Sequence, residues 1–220
     1  EYIGNIIGNE YIIPLLGVWD SFDDIDFSSL PDQFVLKTNH DCGGVWVCKN
    51  KNELDFKLLK KQITKRLKYN YYKRERMWSY KNIKPKIIAE KYMEDEIEKE
   101  LKDYKFLCFN GKVKLIQVFS QRGEGSTLAN HYDISWNRYY VNRANLKQNE
   151  KEIEKPDKLN TMIEIAETLS KNIPFVRVDL YNANSRIYFG EMTFHPGWGD
   201  APSFSIEDDL KMGSWLDLRI

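Results

Sequence analysis

Apolar and polar residues alternate along the chain with two different periods, which together predict a mixture of helices and strands. Apolar positions recur at helical spacing from Glu53 to about Asn70, and again in EKPDKLNTMIEIAETLSKN, which has a proline near its start. A last helix is predicted around Ser205 to Leu218. Short apolar runs predict strands at FVLKTN, GGVWVC and KPKIIAEKYM.

Two pairs of apolar runs predict antiparallel hairpins. DYKFLCFNGKVKLIQVFS has Asn110-Gly111 at its centre, a pair that favours a type I′ turn. The second hairpin is RVDLYNANSRIYFGEMTFHPG, and between the two hairpins Gln121 to Trp136 is predicted to be a long polar loop. Helices combined with antiparallel hairpins predict an α+β fold.

Asp179 and Glu191 interrupt the strands of the second hairpin at positions where apolar residues would ordinarily be buried. Because alternate residues of a strand share a face, Arg177 should point the same way as Asp179, and Glu191 the same way as Thr193. Arg177 is the one obvious cationic neighbour. Two explanations stay open: both carboxylates hold Mg²⁺, which takes a few carboxylates with substrate phosphates, or Asp179 pairs with Arg177 while Glu191 lies at a solvated edge.

Composition and charge narrow the function classes. With 33 basic and 33 acidic side chains among 220 residues, no overall charge draws the chain to nucleic acid or to a membrane. No apolar run approaches the roughly 20 residues of a membrane span. Three cysteines without CxxC spacing favour a reducing setting, so a cytoplasmic location is expected.

A basic segment runs from Lys57 to Arg76, with nine Lys and Arg side chains against one Glu and with three tyrosines among them. Three explanations are considered: a solvated helix face, a surface for an anionic glycan or ATP phosphate, and an RNA-binding surface. The zero net charge and the apolar stripe of the helix favour the first, and no nucleic acid partner is expected.

Two further candidates for chemistry lie in loops or at strand ends. Lys37 ends an apolar strand before a loop with Gly43 and Gly44, where backbone amides and a lysine could hold a phosphate, although a Walker motif is absent. An ordinary surface lysine is the alternative. Arg122 in the polar loop is a candidate clamp for a substrate carboxylate.

Two other motifs are weaker. Asp24-Ile25-Asp26 has the DxD spacing of many nucleotide-sugar glycosyltransferases, but it lies among serines and aspartates instead of ending an apolar strand. His40 and Cys42 suggest a Cys/His nucleophile, yet they are sequence neighbours on one loop, whereas catalytic pairs normally come from separate elements.

Three segments, taken in chain order, resemble the ATP-grasp family: FVLK with its glycine loop, IIAEKYM, and VRVDLY…IYFGEMTF. YIIPLLGVWDSFDDIDFSSLPDQFVLKTNHDCGG and FGEMTFHPG look like its TupA-like branch, which is associated with teichuronic acid and other bacterial surface polysaccharides. The resemblance covers nearly the whole chain and implies two α+β lobes with ATP bound between them. Residues 34–89 would form the small lobe and 90–220 the large lobe with the metal site, after a remnant of a preceding domain and linker at 1–33.

The resemblance also implies roles for individual residues. The set assigned to ATP is Lys37, His40, Gly43, Gly44, Glu90, Lys91, Tyr92, Met93 and Lys105. The set assigned to Mg²⁺ is Asp179, Glu191 and Thr193, and the catalytic set is Lys37, Arg177 and Arg122. Many members carry asparagine where this chain has Thr193, and a hydroxyl is a weaker metal ligand, so a second Mg²⁺ is in question.

The reaction that the resemblance implies is ATP- and Mg²⁺-dependent joining of a carboxylate and an amine through an acyl phosphate. A uronic acid or related sugar carboxylate and an amino acid or amino alcohol are the expected substrates, and an amide (C–N) bond is the expected product. Expected partners besides the substrates are a preceding domain or polysaccharide-assembly enzymes. A glycosyltransferase that uses a nucleotide sugar, and a nucleotide-binding pseudoenzyme in polysaccharide assembly, are the alternatives.

Overall fold

The computed structural model describes residues 1–97, 99–120, 128–141, 147–199 and 204–218. In chain order the described elements are α1 (Tyr2–Ile7), β1 (Leu15–Trp19), β2 (Phe34–Thr38), β3 (Val45–Cys48), α2 (Phe56–Leu67), α3 (Tyr71–Glu75), β4 (Ile87–Lys91), β5 (Asp103–Phe109), β6 (Lys112–Ser120), β7 (Leu128–Tyr132), α4 (Leu159–Ser170), β8 (Phe175–Ala183), β9 (Arg186–Thr193) and α5 (Ile206–Gly213), with short 3₁₀ turns between some of them. These elements form two compact units: a smaller unit, Ile13–Met93, and a larger unit, Glu1–Ile12 with Glu94–Ile220. Helices and antiparallel sheets occur in both, which confirms the predicted α+β class.

The smaller unit is a four-stranded antiparallel sheet in the order β1-β4-β2-β3 with α2 packed against it. Alternate residues of β2 are buried, so Phe34 and Leu36 enter the core, where they meet Leu59 and Ile63 of α2. The Asp55 carboxylate caps α2 by accepting the amide hydrogen of Leu58 at 2.9 Å. The predicted helix from Glu53 to Asn70 is therefore confirmed, with ends three residues shorter on each side.

The two units do not divide at residues 34 and 90, where the boundaries were expected. β1 pairs with β4, and Phe22, Ile25 and Leu30 are buried in the core of the smaller unit, so residues 13–33 belong to that unit. Residues 1–12 belong to the larger unit, where Ile12 forms a bridge with Phe189. Whether residues 1–33 derive from a preceding domain stays a prediction.

The larger unit is a five-stranded antiparallel sheet in the order β7-β6-β5-β8-β9. One face of α4 packs on it through a buried stripe: Leu159, Met162, Ile165, Ala166 and Leu169. These side chains share one core with Phe106, Val118 and Val178 of the sheet. Because β5 and β8 are adjacent central strands, polar side chains on them lie next to each other even though they are far apart in the sequence.

Both hairpins of the larger unit close through two-residue turns with positive φ. Asn110 has φ 50° and Gly111 has φ 77°, as a type I′ turn requires, which confirms the prediction for that pair. Asn184 and Ser185 close the second hairpin with φ 51° and 54°. The Asn184 side chain also accepts the amide hydrogen of Glu96 at 2.9 Å, which holds the turn in this unusual conformation.

The predicted polar loop from Gln121 to Trp136 is wrong over five residues, because Leu128–Tyr132 forms the edge strand β7. Asn130 and His131 are buried there despite their polarity. Their hydrogen bonds explain why: the Asn130 carbonyl oxygen accepts from Arg138 at 2.9 Å, and His131 lies 3.0 Å from the Gln117 amide. Polar residues that are satisfied by side-chain partners carry no apolar signal in the sequence.

None of the helices in the described ranges has the length and apolarity that crossing a membrane requires.

Candidate functional site

Lys105, Asp179 and Glu191 lie in one row across three neighbouring strands of the larger unit. The strand register places Lys105 of β5 opposite Asp179 of β8, and Asp179 opposite Glu191 of β9. Asp179 is only 1% exposed, whereas 57% of the Glu191 side chain is exposed. The row therefore runs from a buried ammonium to a carboxylate that solvent reaches.

Arg177 joins this row to Thr193 through a single guanidinium. Its Nε donates to Oδ1 of Asp179 at 2.6 Å, and its Nη2 donates to Oδ2 of Asp179 at 2.7 Å. The same Nη2 donates to Glu191 Oε1 at 2.7 Å and to Thr193 Oγ1 at 2.9 Å. The shared faces predicted for Arg177 with Asp179 and for Glu191 with Thr193 are thus confirmed by direct contacts.

The expectation that Arg177 is the one cationic neighbour of these carboxylates is wrong. The Lys105 side chain is 7% exposed, and its ammonium contacts the Asp103 carboxylate at 2.8 Å and also pairs with Asp179. The sequence signal for Lys105 was its position two residues after Asp103, inside the apolar run DYKFLCF. That signal does not identify Asp179 as a partner, because the two residues meet only through the pairing of β5 with β8. Two carboxylates already engage the Lys105 ammonium. The assignment of Lys105 to ATP stays a prediction.

The two carboxyls on the β8–β9 hairpin differ in their affinity for a proton. Burial raises the pKa of Asp179 to about 6, although the Arg177 hydrogen bond and the Lys105 charge act in the opposite direction. Burial also acts to raise the pKa of Glu191, but the hydroxyl of Thr193 and the charge of Arg177 hold it below its ordinary value. Asp179 is therefore the carboxyl that changes charge near pH 6.

This raised pKa makes a prediction about stability and pH. Native Asp179 keeps its proton up to about pH 6, whereas the unfolded chain loses it near pH 4, so its contribution to stability is full below pH 4 and is lost as the pH rises through 6. The loss should amount to about 3 kcal/mol, from roughly 1.4 kcal/mol per pKa unit. Urea unfolding of wild type and Asp179→Asn at pH 4, 5, 6 and 7 tests this prediction, because carboxyls remote from the cluster cancel in the difference. A difference that stays constant over this range would contradict the raised pKa.

In the smaller unit the structure brings together two residues that were assigned to ATP. The Lys37 ammonium pairs with the Glu90 carboxylate across β2 and β4, and neither side chain is fully buried. The amide of Lys91 donates to the Pro14 carbonyl at 2.9 Å, so it is already bonded within the unit. Its backbone hydrogen is therefore engaged in this state of the protein.

The loop after Lys37 depends on both of its glycines. Gly43 has φ +92°, which a residue with a side chain rarely adopts. A Cβ on Gly44 would lie 1.8 Å from Thr38 Oγ1, a distance that no packing allows. The Thr38 amide donates to the Gly44 carbonyl at 2.9 Å and closes the loop from His40 to Gly44.

Arg66, in the last turn of α2, fastens this loop. Its guanidinium pairs with the Asp41 carboxylate and donates to the Cys42 carbonyl, while its own carbonyl lies 3.2 Å from His40 Nε2. The Thr38 hydroxyl donates to the same Asp41 carboxylate at 2.5 Å. We call these contacts the Arg66 clamp. Sequence reasoning missed it, because Arg66 is one of many basic residues on that helix.

The structure does not place several of the residues that the sequence suggested for chemistry in a common site. His40 contacts the Arg66 carbonyl and Cys42 is exposed, so the described contacts do not support a Cys/His nucleophile. Asp24 accepts the Ser21 amide hydrogen at 3.0 Å, and Asp26 accepts from the Ser28 amide at 2.9 Å, so both acids of the DxD motif cap local turns. Arg122 lies outside the described residues.

The tyrosine rings of the basic segment pack against other aromatic rings and against cationic side chains of the same unit. Tyr71 is buried, and the Tyr69 ring is covered by the guanidiniums of Arg66 at 5.0 Å and Arg74 at 5.7 Å. The ring of Tyr72 packs edge-on against Trp78 at 5.9 Å. These contacts favour a solvated basic face, and the expected absence of a nucleic acid partner stays a prediction.

The described residues contain no group of three or more His, Cys, Asp or Glu side chains placed to hold a metal ion. Asp179, Glu191 and Thr193 nevertheless present only hard oxygen donors on one hairpin. This donor set fits Mg²⁺, which binds through one or two carboxylates together with substrate phosphates.

Comparison with known proteins gives both a family and a fold. Residues 1–217 match the family described as TupA-like ATPgrasp. The D-alanine–D-alanine ligase from Bacillus anthracis is similar in structure: its complex with ATP gives a TM-score of 0.50 at 17% identity, over 89% of this chain and 52% of that one. A second structure of that ligase gives 0.50 at 16% identity, over 96% and 60%.

This chain therefore spans between half and three fifths of the ligase, and at such identity the likeness shows the fold alone. A search of curated proteins found no match. The family match, which covers nearly the whole chain, establishes that the chain belongs to the TupA-like ATP-grasp family.

Proposed function

We propose that the protein is an ATP- and Mg²⁺-dependent ligase that joins a carboxylate to an amine through an acyl phosphate. The observation that carries the proposal is the placement of Arg177, Asp179 and Glu191 on one hairpin, with a buried carboxylate held between two cations. A chain that only needed a stable hairpin would bury apolar residues there, because burying charges costs free energy even when they are paired.

In this proposal Asp179 and Glu191 hold Mg²⁺, with the Thr193 hydroxyl beside them. When bound, the ion would neutralise charge on the phosphates. Arg177 already contacts all three of these side chains, so it sets their rotamers before any ligand arrives. Its guanidinium is the group best placed in this cluster to stabilise an anionic oxygen, which it does through fixed N–H donors.

The nucleotide would be bound mainly by the smaller unit. Lys37 would bind phosphate, the loop from His40 to Gly44 would close over it, and the backbone of Glu90 to Met93 would contact adenine. The pairing of Lys37 with Glu90 holds the ammonium in place while phosphate is absent. A phosphate that reaches Lys37 then competes with Glu90 for the ammonium.

The proposed reaction has two steps and needs only ATP, the carboxylate and the amine. An oxygen of the substrate carboxylate bonds to the γ-phosphorus, the bond from that phosphorus to the β,γ-bridging oxygen breaks, and ADP leaves with the electron pair. The amine nitrogen then bonds to the acyl carbon, phosphate leaves, and the nitrogen gives up a proton to solvent or phosphate. The residues contribute position and charge, which is most of what phosphoryl transfer requires.

We further propose a sugar carboxylate such as a uronic acid as the acceptor, an amino acid or amino alcohol as the amine, and a cytoplasmic location. Membership of the TupA-like family supports this choice, given the association of that family with surface polysaccharides. Arg122 is proposed as a clamp for the substrate carboxylate.

ADP release, screened over uronic acids crossed with amines, tests the function. We expect ADP to form only when a matching carboxylate is present, and the amide product to require the amine as well. ATP binding without ADP release for any pair would instead indicate a nucleotide-binding pseudoenzyme, the alternative that threonine at position 193 favours.

Nucleotide choice is a separate prediction. Because a ligand that binds only the native state raises stability by RT ln(1 + [L]/Kd), millimolar ATP should raise the melting temperature and UTP should not. Lys37→Met should reduce the ATP shift, while Lys60→Met, which removes an exposed lysine of the same unit, should leave it unchanged. Equal shifts with UDP-sugars and none with ATP would favour a glycosyltransferase.

A further inference from the structure

We propose that the outer face of α2 binds an anionic membrane surface, so that the protein is held at a lipid bilayer as a peripheral protein. We call this surface the lysine face; it consists of Lys57, Lys61 and Lys65, together with the exposed Leu58. In the free protein this face is solvated. The proposal concerns the smaller unit by itself, and it does not depend on the ligase proposal because it needs neither a nucleotide nor a metal ion.

Positive charge is concentrated in one segment of a chain that has no net charge. Residues 57–86 carry twelve Lys and Arg side chains against one Glu, a net charge of +11, so the remaining 190 residues carry −11. Charges more than about 10 Å apart are largely screened at about 0.1 M salt. A surface that lies against this segment therefore meets its local positive charge and not the zero total.

Three of these lysines lie on the side of α2 that points away from the core. Lys57, Lys61 and Lys65 are four residues apart, which places them on one face of the helix. Leu59 and Ile63, on the opposite face, are buried in the core of the smaller unit. All three lysines are exposed. They form a row about 12 Å long, given the rise of an α-helix, and such a row can contact a flat surface along its whole length.

No carboxylate of the described residues forms an ion pair with the three lysines of this row. The two cations of α2 that do pair there are Lys60, with Asp23 at 2.5 Å, and Arg66, with Asp41. Like charges four residues apart destabilise a helix. A mixture of acidic and basic side chains would keep the face soluble without this repulsion. An anionic partner, in contrast, neutralises the row and removes the repulsion.

The side chains on this face favour lipid over a polyanion that is dissolved in water. Leu58 lies three residues before Lys61 and seven before Lys65, so it shares their face, and it is 49% exposed. A leucine and the methylene stems of lysines can both enter the headgroup layer of a bilayer while the ammonium groups stay at the anionic surface. A dissolved polyanion gains nothing from the leucine.

A nucleic acid fits this region less well. Single-stranded bases are held largely by stacking on aromatic rings, but Arg66 and Arg74 cover the Tyr69 ring, and Tyr71 is buried. The planar fork of arginine matches fixed phosphates best, and Arg66 is already engaged in the Arg66 clamp. The lysines that remain are point charges on flexible stems, which suits a layer of lipid headgroups that is itself mobile.

Flotation of the full chain with lipid vesicles tests the proposal. Vesicles of equal parts phosphatidylglycerol and phosphatidylcholine should carry the protein at about 0.1 M salt and release most of it at about 0.5 M, because salt screens the attraction. Vesicles of phosphatidylcholine alone should carry none of it. Equal flotation on the two kinds of vesicle, or flotation on neither, would overturn the proposal.

Two triple variants identify the surface. Lys57→Gln, Lys61→Gln and Lys65→Gln together should lower the affinity for the anionic vesicles by about 100-fold, and Lys61→Gln alone by about fivefold, from the contribution of each lysine near an anionic surface. The control removes the same charge from three exposed lysines of the larger unit, and it should keep the wild-type affinity: Lys114→Gln, Lys155→Gln and Lys171→Gln. An equal loss in the two triple variants would mean that total charge causes the binding, and α2 would not be the surface.

The fold of the lysine-face variant is checked by its melting temperature. It should equal or exceed that of wild type, because the substitutions remove repulsion between like charges. A large decrease would mean that the row stabilises the fold, which contradicts the argument from repulsion.

Leu58→Gln distinguishes lipid from other anions, because it changes no charge. It should weaken binding to the anionic vesicles by about fivefold through the loss of buried apolar area. Transfer RNA and polygalacturonate, titrated at the same salt, should bind more weakly than the vesicles. Tighter binding of either polyanion, or vesicle binding that Leu58→Gln leaves unchanged, would overturn the choice of a membrane as the partner.

Discussion

Replacing Asp179 with asparagine is expected to lower ADP release by at least about 100-fold, the loss typical of removing one group that stabilises the transition-state charge. The fold should survive. Lys105 keeps Asp103 as a partner and Arg177 keeps Glu191, so neither cation is stranded. Because burial raises the pKa of Asp179 to about 6, its charge costs stability at neutral pH, and the free energy of unfolding at pH 7 should be unchanged or higher.

The measurements are ADP release per folded molecule and urea unfolding at pH 7. Glu191→Gln should lose ADP release in the same way, while Glu167→Gln, at a half-buried position of α4 that pairs with Lys112, should keep it. If Asp179→Asn unfolds at much lower urea and still releases ADP, then Asp179 is a structural bridge to Arg177 and not part of a nucleotide and metal site.

Lys105→Met is expected to lower the free energy of unfolding at pH 8 by about 3–5 kcal/mol, the cost of breaking a buried pair by removing one partner. The variant leaves Asp103 and Asp179 buried with one cation fewer. At pH 5 the loss should shrink, because a proton on Asp179 removes the charge that the lysine had balanced.

Urea unfolding at pH 5 and pH 8 measures both values. Lys112→Met is the control, and it should cost no more than about 1 kcal/mol at either pH, since exposed ion pairs contribute little. An equal loss at the two pH values would mean that Lys105 acts through packing of its methylene chain, and a loss below that of the control would mean that the buried pairs contribute nothing.

Local signals in the sequence were sufficient for the elements that build the fold. Asn110-Gly111 set the first hairpin turn because few residues tolerate positive φ, and the apolar stripe of α4 follows directly from helical spacing. Position along one strand was equally readable: the spacing of two residues predicted that Arg177 and Asp179 share a face, and the ion pair between them was one of the two explanations left open.

Contacts between distant segments could not be read in this way. Lys105 and Asp179 are opposite each other because β5 lies beside β8, and the sequence holds no local record of that register. The same holds for Arg66, which meets Asp41 only after α2 has packed on its sheet. Strand β7 was missed for a further reason: Asn130 is buried but polar, and its partner Arg138 lies beyond the strand.

The Arg66 clamp makes the loop from His40 to Gly44 a mechanical extension of α2. The guanidinium and the carbonyl of Arg66, in the last turn of that helix, contact Asp41, Cys42 and the His40 imidazole of the loop. A displacement of the loop is therefore passed on to α2, a helix of 12 residues. Amide hydrogens along α2 should then exchange with solvent at rates that change when the loop engages a nucleotide.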